Sequence, residues 1–321
     1  MLGSSVPIRA ALTEPIHNFQ QLRDYARAVG PKRVAVVVAD DEVALTAVAS
    51  AQESDIAIPV LIGETGKIRA LAQALGLDQV VAKVEFVPGG VDAAGVAGRL
   101  ASEGKVDILM KGHLRTDQLL KAVLDKQNGL RTGRLLNDIL FYEDVLSGER
   151  RLVGLTDGGL NVAPNLQQKK QIIENSIEAL RRLGFTRPKI AVMSATEAVS
   201  EGLPSTMDAK ALTEMGAVGE FGDAEVYGPL ALDNALLESA AKAKGITSPV
   251  AGHADAMVVH CIEAGNHLGK STKYFANSSC AHVIVGAKVP VLIPSRVESA
   301  DDKLNSIALG VIFCQPLISK C

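Results

Sequence analysis

Along the first third of the chain, short unbroken apolar runs alternate with longer stretches of helical period. RVAVVVAD (33–40), IPVLIG (58–63), VEFVP (84–88) and DILMKG (107–112) have the length and continuity of strands buried on both faces. Between them, the segment from Asn18 to Gly30, DEVALTAVASAQ, ETGKIRALAQALG and AAGVAGRLAS carry helix formers, with capping residues ahead or Gly behind. This rhythm predicts a parallel sheet with helices on both faces.

The pattern changes after residue 130. LRTGRLLNDILFYED (130–144) and RRLVGLTDGGL (150–160) read as two strands joined by a polar turn at Ser147-Gly148, a spacing that allows an antiparallel pair. Asn165 then caps a long helix whose apolar face is Ile172, Ile173, Ile177, Leu180 and Leu183. KIAVMSA and DAMVVH (255–260) are further strands, and Ser205-x-x-Asp208 reads as a capping box before a short helix. GNHLGKSTKYFANSS reads as a loop running into a helix. The last strand, Val289 to Ile293, stops at Pro294, and the turn Ser299-Ala300-Asp301-Asp302 opens an amphipathic helix. We expect two α/β domains, 1–140 with 290–321 and 141–289, facing each other across a cleft.

Composition narrows the class. At 321 residues and 47% hydrophobic content the chain can bury a large core, but with 3% aromatics and no Trp that core must be aliphatic. A net charge of −3 with no basic block argues against nucleic acid as a partner. No apolar run is long enough to span a bilayer, and MLGSSVPIRA has no signal-peptide pattern. Cys261, Cys280, Cys314 and Cys321 are irregularly spaced, which fits free thiols in a reducing, cytoplasmic compartment.

Candidate chemistry gathers at strand ends. Ser295 and Arg296 follow the last strand at once, with Asp302 a helix turn beyond, and ligands of open α/β sheets bind at such carboxyl ends. Lys111 closes another strand, and Arg131-Thr132-Gly133-Arg134 is a turn presenting guanidinium groups that match phosphate geometry. Ala264 to Ser271 is a near-match to a phosphate-binding P-loop, with Gly265, Asn266 and Lys270 as anion-binding candidates. Four histidines, His253, His260, His267 and His282, lie close in sequence, but their spacing suits no metal site.

Together, EAGN, YFA, VGAKVP, the Ser295-Arg296 pair and KLNSIAL, with MKGHLRTDQLLKAVLDKQNGLRTGR and LTDGGLNVAPN, resemble the phosphate acetyl/butyryltransferase family, in wording nearer its butyryl-type branch. The resemblance implies an isocitrate/isopropylmalate-dehydrogenase-like two-domain fold and a homodimer paired through the second domain. It implies a reversible transfer of a short acyl group between coenzyme A and phosphate. CoA is a substrate there, with no resident cofactor or metal. It also implies that Ser295 stabilises the transition state, that Arg296 holds phosphate, and that Asp302 takes the position of the base for the CoA thiol. Arg131 and Thr132 would contact phosphate groups. His260-Cys261 and Gly269 depart from the family pattern, which leaves open a CoA- or acyl-phosphate-binding protein without turnover. A P-loop nucleotide-binding protein is the third reading.

Overall fold

The computed structural model describes residues 12, 14–82, 84–88, 90–127, 129–146, 148, 150–295 and 297–315. Arg296, Ser147, Cys321 and residues 1–11, all of which carried expectations, lie outside that set.

The first third folds as its pattern predicts. Helix α1 (Phe19–Val29) starts at Asn18, whose side chain accepts the Gln21 N–H, and ends at Gly30. It is followed by β1 (Lys32–Val37), α2 (Glu42–Glu53), β2 (Ala57–Gly63), α3 (Thr65–Ala74), the short α4 (Asp78–Val81) and β3 (Glu85–Pro88). After one 3₁₀ turn come α5 (Ala93–Ser102), β4 (Ile108–Lys111) and α6 (Thr116–Leu124). The four strands pair in parallel in the order β3-β2-β1-β4.

The middle of the chain supplies β5 (Asn137–Asp144), β6 (Arg151–Thr156), α7 (Leu166–Arg182), β7 (Lys189–Met193), α8 (Pro204–Ala217) and β8 (Glu225–Leu230). The short helices α9 (Leu232–Leu236) and α10 (Glu238–Ala243) lead to β9 (Ala256–Val258), α11 (Ile262–Tyr274) and β10 (Cys280–Val285). The chain closes with β11 (Val291–Leu292) and α12 (Ala300–Phe313). All eleven strands form one sheet, ordered β3-β2-β1-β4-β11-β10-β5-β6-β9-β7-β8. β5 pairs antiparallel with β6 and with β10, and β10 antiparallel with β11; the other named pairs are parallel. Strand direction therefore reverses at the centre of the sheet.

Several elements differ from the sequence reading. Residues 130–136 are not strand: only Arg131 bridges, to Ala287, and Gly133 sits at φ +87°, where an extended ladder cannot continue. The last strand is cut to two residues because Pro290 and Pro294 flank it without N–H donors. Ser205 and Asp208 do not form a capping box. They lie inside α8, which begins at Pro204 and runs 14 residues; Ser205 Oγ bonds Ser194 Oγ (2.8 Å), and Asp208 pairs with Lys169 (2.6 Å). GNHLGK is not a loop either, since α11 has already begun at Ile262 and runs through it.

The largest difference concerns α12. It is not amphipathic: every residue from Asp302 to Phe313 is buried. The helix packs on β4, β11 and β10 on one side and on α1, α2 and α7 on the other. Gly310 permits the close approach, since a Cβ there would lie 3.2 Å from Ile108 Cδ1. Its polar residues are satisfied internally. Lys303 Nζ reaches Asp41 Oδ1 (3.2 Å), Asn305 accepts from Arg23 (3.1 Å), and Ser306 Oγ accepts the His282 N–H (2.9 Å).

The Lys303–Asp41 pair makes a sharp stability test. Asp41 also caps α2, accepting the Ala44 N–H at 2.7 Å. Asp41→Ala strands a buried ammonium and removes a cap, so it is expected to cost about 3–5 kcal/mol, whereas Lys303→Met is expected to stay within about 1–2 kcal/mol of the parent. Denaturant midpoints of the two variants measure the difference.

Candidate active site

A cavity of about 420 Å³ opens where the strand direction reverses. β4 contributes Lys111 at its carboxyl end, and α6 contributes Thr116, whose hydroxyl lies 3.5 Å from Lys111 Nζ. β5 contributes Asp138 and Leu140, and β6 contributes Leu155. The alternation of NDILFYED explains this: Asp138 and Leu140 share one face, while Ile139 and Phe141 point into the core beneath α7 and α12. β10 brings Cys280 and His282, and the segment after β11 brings Ile293, Ser295 and Glu298.

The remaining wall is α11, and its position is set by glycine. The loop after β6 turns on Asp157, whose carboxylate accepts the N–H groups of Gly159 (2.7 Å) and Leu160 (2.8 Å) and the Asn161 amide (2.6 Å). Burial, and then the charge of Asp138, push the Asp157 carboxyl up; the hydrogen bonds work against that. A Cβ on Gly158 would lie 2.8 Å from the Gly265 carbonyl carbon, and one on Gly265 would lie 2.6 Å from the Asp157 carbonyl oxygen. Two backbones thus meet where neither could carry a side chain. Asn266 Nδ2 seals the contact by donating to the Gly158 carbonyl (3.3 Å). From this anchored first turn, α11 aims Gly269, Lys270, Lys273 and Tyr274 along the cavity.

The structure thus brings Lys111, Gly265, Asn266, Lys270 and Ser295 to one cavity. Arg131 and Thr132 lie apart from its lining; both are exposed, and the Thr132 hydroxyl donates to the Gly286 carbonyl. Asp302 is 1% exposed and also off the lining. Its Oδ1 accepts the Cys280 N–H (3.0 Å), and its Oδ2 accepts from Lys273 Nζ and from the Ser299 hydroxyl (2.7 Å). Burial alone would raise its carboxyl, but the bonds from Lys273, the Cys280 amide and Ser299 hold it below the usual carboxylate range.

The P-loop reading does not survive. Ala264 to Ser271 lies wholly inside α11, so its amides serve the helix rather than forming a phosphate-binding loop, and Lys270 stands two turns into it. Among the lining residues that sequence reasoning missed are Asp138, Glu298 and, as anything but a rejected metal ligand, His282. Their signal was weak, because they come from two strands and a loop far apart in the chain. His253, His260 and His267 are exposed.

The fold and this cavity define an α/β protein of the phosphotransacylase type. A branched-chain phosphotransacylase from Enterococcus faecalis V583 superposes with a TM-score of 0.77 at 29% identity, covering 88% of this chain and 99% of that one. The chain belongs to the phosphate acetyl/butyryltransferase family: the family model described as "Phosphate acetyl/butaryl transferase" matches residues 85–311. Phosphate butyryltransferase of Clostridium acetobutylicum is 37% identical over 297 residues, 92% of this chain and 98% of that protein. Phosphate acetyltransferase of Rhizobium meliloti is 36% identical over 295 residues, 92% of this chain and 93% of that protein. Identity therefore does not separate the two branches. The dehydrogenase-like α/β fold expected from the resemblance is the one found, and no helix among the described residues is long and apolar enough to cross a membrane.

The backbone contact between the loop and α11 can be tested directly. Gly265→Ala forces the two apart and is expected to lower stability by about 1–3 kcal/mol through overpacking. It is also expected to reduce acyl transfer at temperatures where the variant is still folded, as checked by melting curves and initial rates together.

Proposed function

We propose that this chain catalyses the reversible transfer of a short acyl group, acetyl, propionyl or butyryl, between coenzyme A and inorganic phosphate. The observation that carries the reading is a family-matched chain in which Ser295 faces a cavity shared with Lys111, Lys270 and Lys273. Acyl phosphate and CoA are polyanions, and this half of the wall presents ammonium groups to them. The resemblance to the family assigns phosphate holding to Arg296 and phosphate contacts to Arg131 and Thr132, and those roles are kept. Ser295 supplies a hydroxyl to the oxyanion that develops at the acyl carbonyl. Gly265 and Asn266 set the first turn of α11, and Asp302 acts through Lys273, which it orients. Holding both substrates in one cavity, as a ternary complex, supplies the orientation term.

The acyl group fits the apolar side of the cavity, formed by Leu140, Leu155 and Ile293. Gly269 leaves room there, since a Cβ at that position would come within 2.8 Å of Leu140 Cδ2. On this reading residues 1–140 with 290–321 and residues 141–289 are two lobes flanking the cavity, and the second lobe pairs in a homodimer. Cys261, Cys280 and Cys314 are free thiols, which suits a cytoplasmic setting.

Acetyl-, propionyl- and butyryl-CoA assayed with phosphate test the reading. Turnover of at least one is expected, with Ser295→Ala lowering kcat about 10²–10³-fold at little change in KM. CoA binding by calorimetry without turnover on any chain length would replace the enzyme with a binding protein. Gly269→Ala is expected to shift preference toward the shortest acyl group, read as a ratio of kcat/KM values across the same panel.

A further inference from the structure

The cavity wall also holds a row of three titratable side chains that the chemistry above does not use. His282 on β10 and Asp138 on β5 are diagonal cross-strand neighbours, since His282 pairs with Leu140 and Asp138 with Ile284. His282 Nδ1 lies 3.2 Å from both Asp138 oxygens, and its Nε2 lies 3.4 Å from Glu298 Oε1. Glu298 is 6% exposed, and its second oxygen, Oε2, is buried without a hydrogen-bond partner. Its N–H donates to the Ser295 carbonyl (3.2 Å), which ties it to the segment carrying the reactive hydroxyl. A buried carboxylate oxygen left unbonded is costly in a resting protein and marks a place where a donor belongs.

Resting on the acyl-transfer reading, we infer that Glu298 is the base that takes the CoA thiol proton, with His282 and Asp138 as positioning residues behind it. The thiol S–H donates to Glu298 Oε2. Sulfur then attacks the acyl carbonyl, the C–S bond forms, and the bond from carbon to the bridging phosphate oxygen breaks with its electron pair on phosphate. Glu298 hands the proton to the departing phosphate and returns to carboxylate, so no further reactant is needed. Asp302 is poorly placed for this step: it is off the cavity wall, and both of its oxygens already accept hydrogen bonds.

The surroundings suit the role. Burial works to lower the His282 pKa, but Asp138 and then Glu298 raise it well above the ordinary value. Lys273 on α11 and Cys280 on β10 also feel the Glu298 charge, and Asp302 on α12 holds Lys273 away as its own partner. Burial, followed by the charges of Glu298 and Asp302, drives the Cys280 thiol pKa far up, so that thiol is inert beside the substrate's. One cavity wall thus carries both ammonium groups for phosphate and an acidic row for the proton.

The test uses the full chain, CoA and the acetyl, propionyl and butyryl phosphates, with loss of the free CoA thiol followed from pH 7 to pH 9. Wild-type turnover establishes the underlying reading, and its absence on all three acyl phosphates would sink that reading rather than this one. Glu298→Gln is expected to lower kcat about 10²-fold or more at pH 7 while KM for CoA changes less than about threefold. The deficit should shrink about twentyfold by pH 9, because a thiol with a pKa near 8.5 then ionises without help. His282→Gln should show a smaller loss, about tenfold, that closes over the same pH range. A loss in Glu298→Gln that stays constant with pH, or a kcat within threefold of wild type at pH 7, overturns the proposal. A pH-recoverable loss in Asp302→Asn with none in Glu298→Gln would assign the base to Asp302 instead.

Discussion

Asp302 is a carboxylate sealed inside the protein, and much of the site depends on how it is satisfied. It is the third residue of α12, a helix buried from Asp302 onward, so the orphan N–H groups of its first turn are met from within. Ser299 and Asp302 meet them reciprocally in a capping box. The same carboxylate then takes the Cys280 amide at the start of β10 and the ammonium of Lys273 from α11. One side chain thus fastens the last helix, the central antiparallel strand and the helix that walls the cavity. The segment from Ser295 to Glu298 precedes this knot directly, so its position is set by the fit of α12 into the core.

The cavity's electrical asymmetry follows from the reversal of strand direction. β4 and β11 run parallel and end at Lys111 and Leu292, which presents strand ends and helix starts, a cationic and donor-rich edge. β10 and β5 run antiparallel beside them and present side chains from mid-strand, among them His282 and Asp138. Both kinds of strand contribute to one cavity of about 420 Å³, so ammonium groups and carboxyl groups share its wall. A fully parallel sheet would offer strand ends alone.

The parts of this arrangement differ in how readable they were. The β1 to α6 array was legible because apolar continuity and helical period are local signals, and each capping residue sits beside the helix it caps. The motifs around Asp157, Gly265 and Ser295 were legible as motifs, but not as a contact between Gly158 and Gly265, since nothing local says two glycines a hundred residues apart will touch. α12 was misread because KLNSIALG carries polar residues at positions that usually face water, and only packing on α1 and α2 supplies Asp41 and Arg23 to receive them.

By itself the sequence determined the α/β class, the order and most of the bounds of its elements, and membership of an acyl-transferring family, because these rest on periodicity, caps and contiguous motifs. Only the tertiary structure decided that both oxygens of Asp302 accept hydrogen bonds from within the fold, and that Glu298, His282 and Asp138 form a row on the cavity wall. The physical reason is range. Hydrophobic period and capping act within a few residues, whereas the satisfaction of a buried charge depends on whichever distant groups the fold brings within about 3 Å of it.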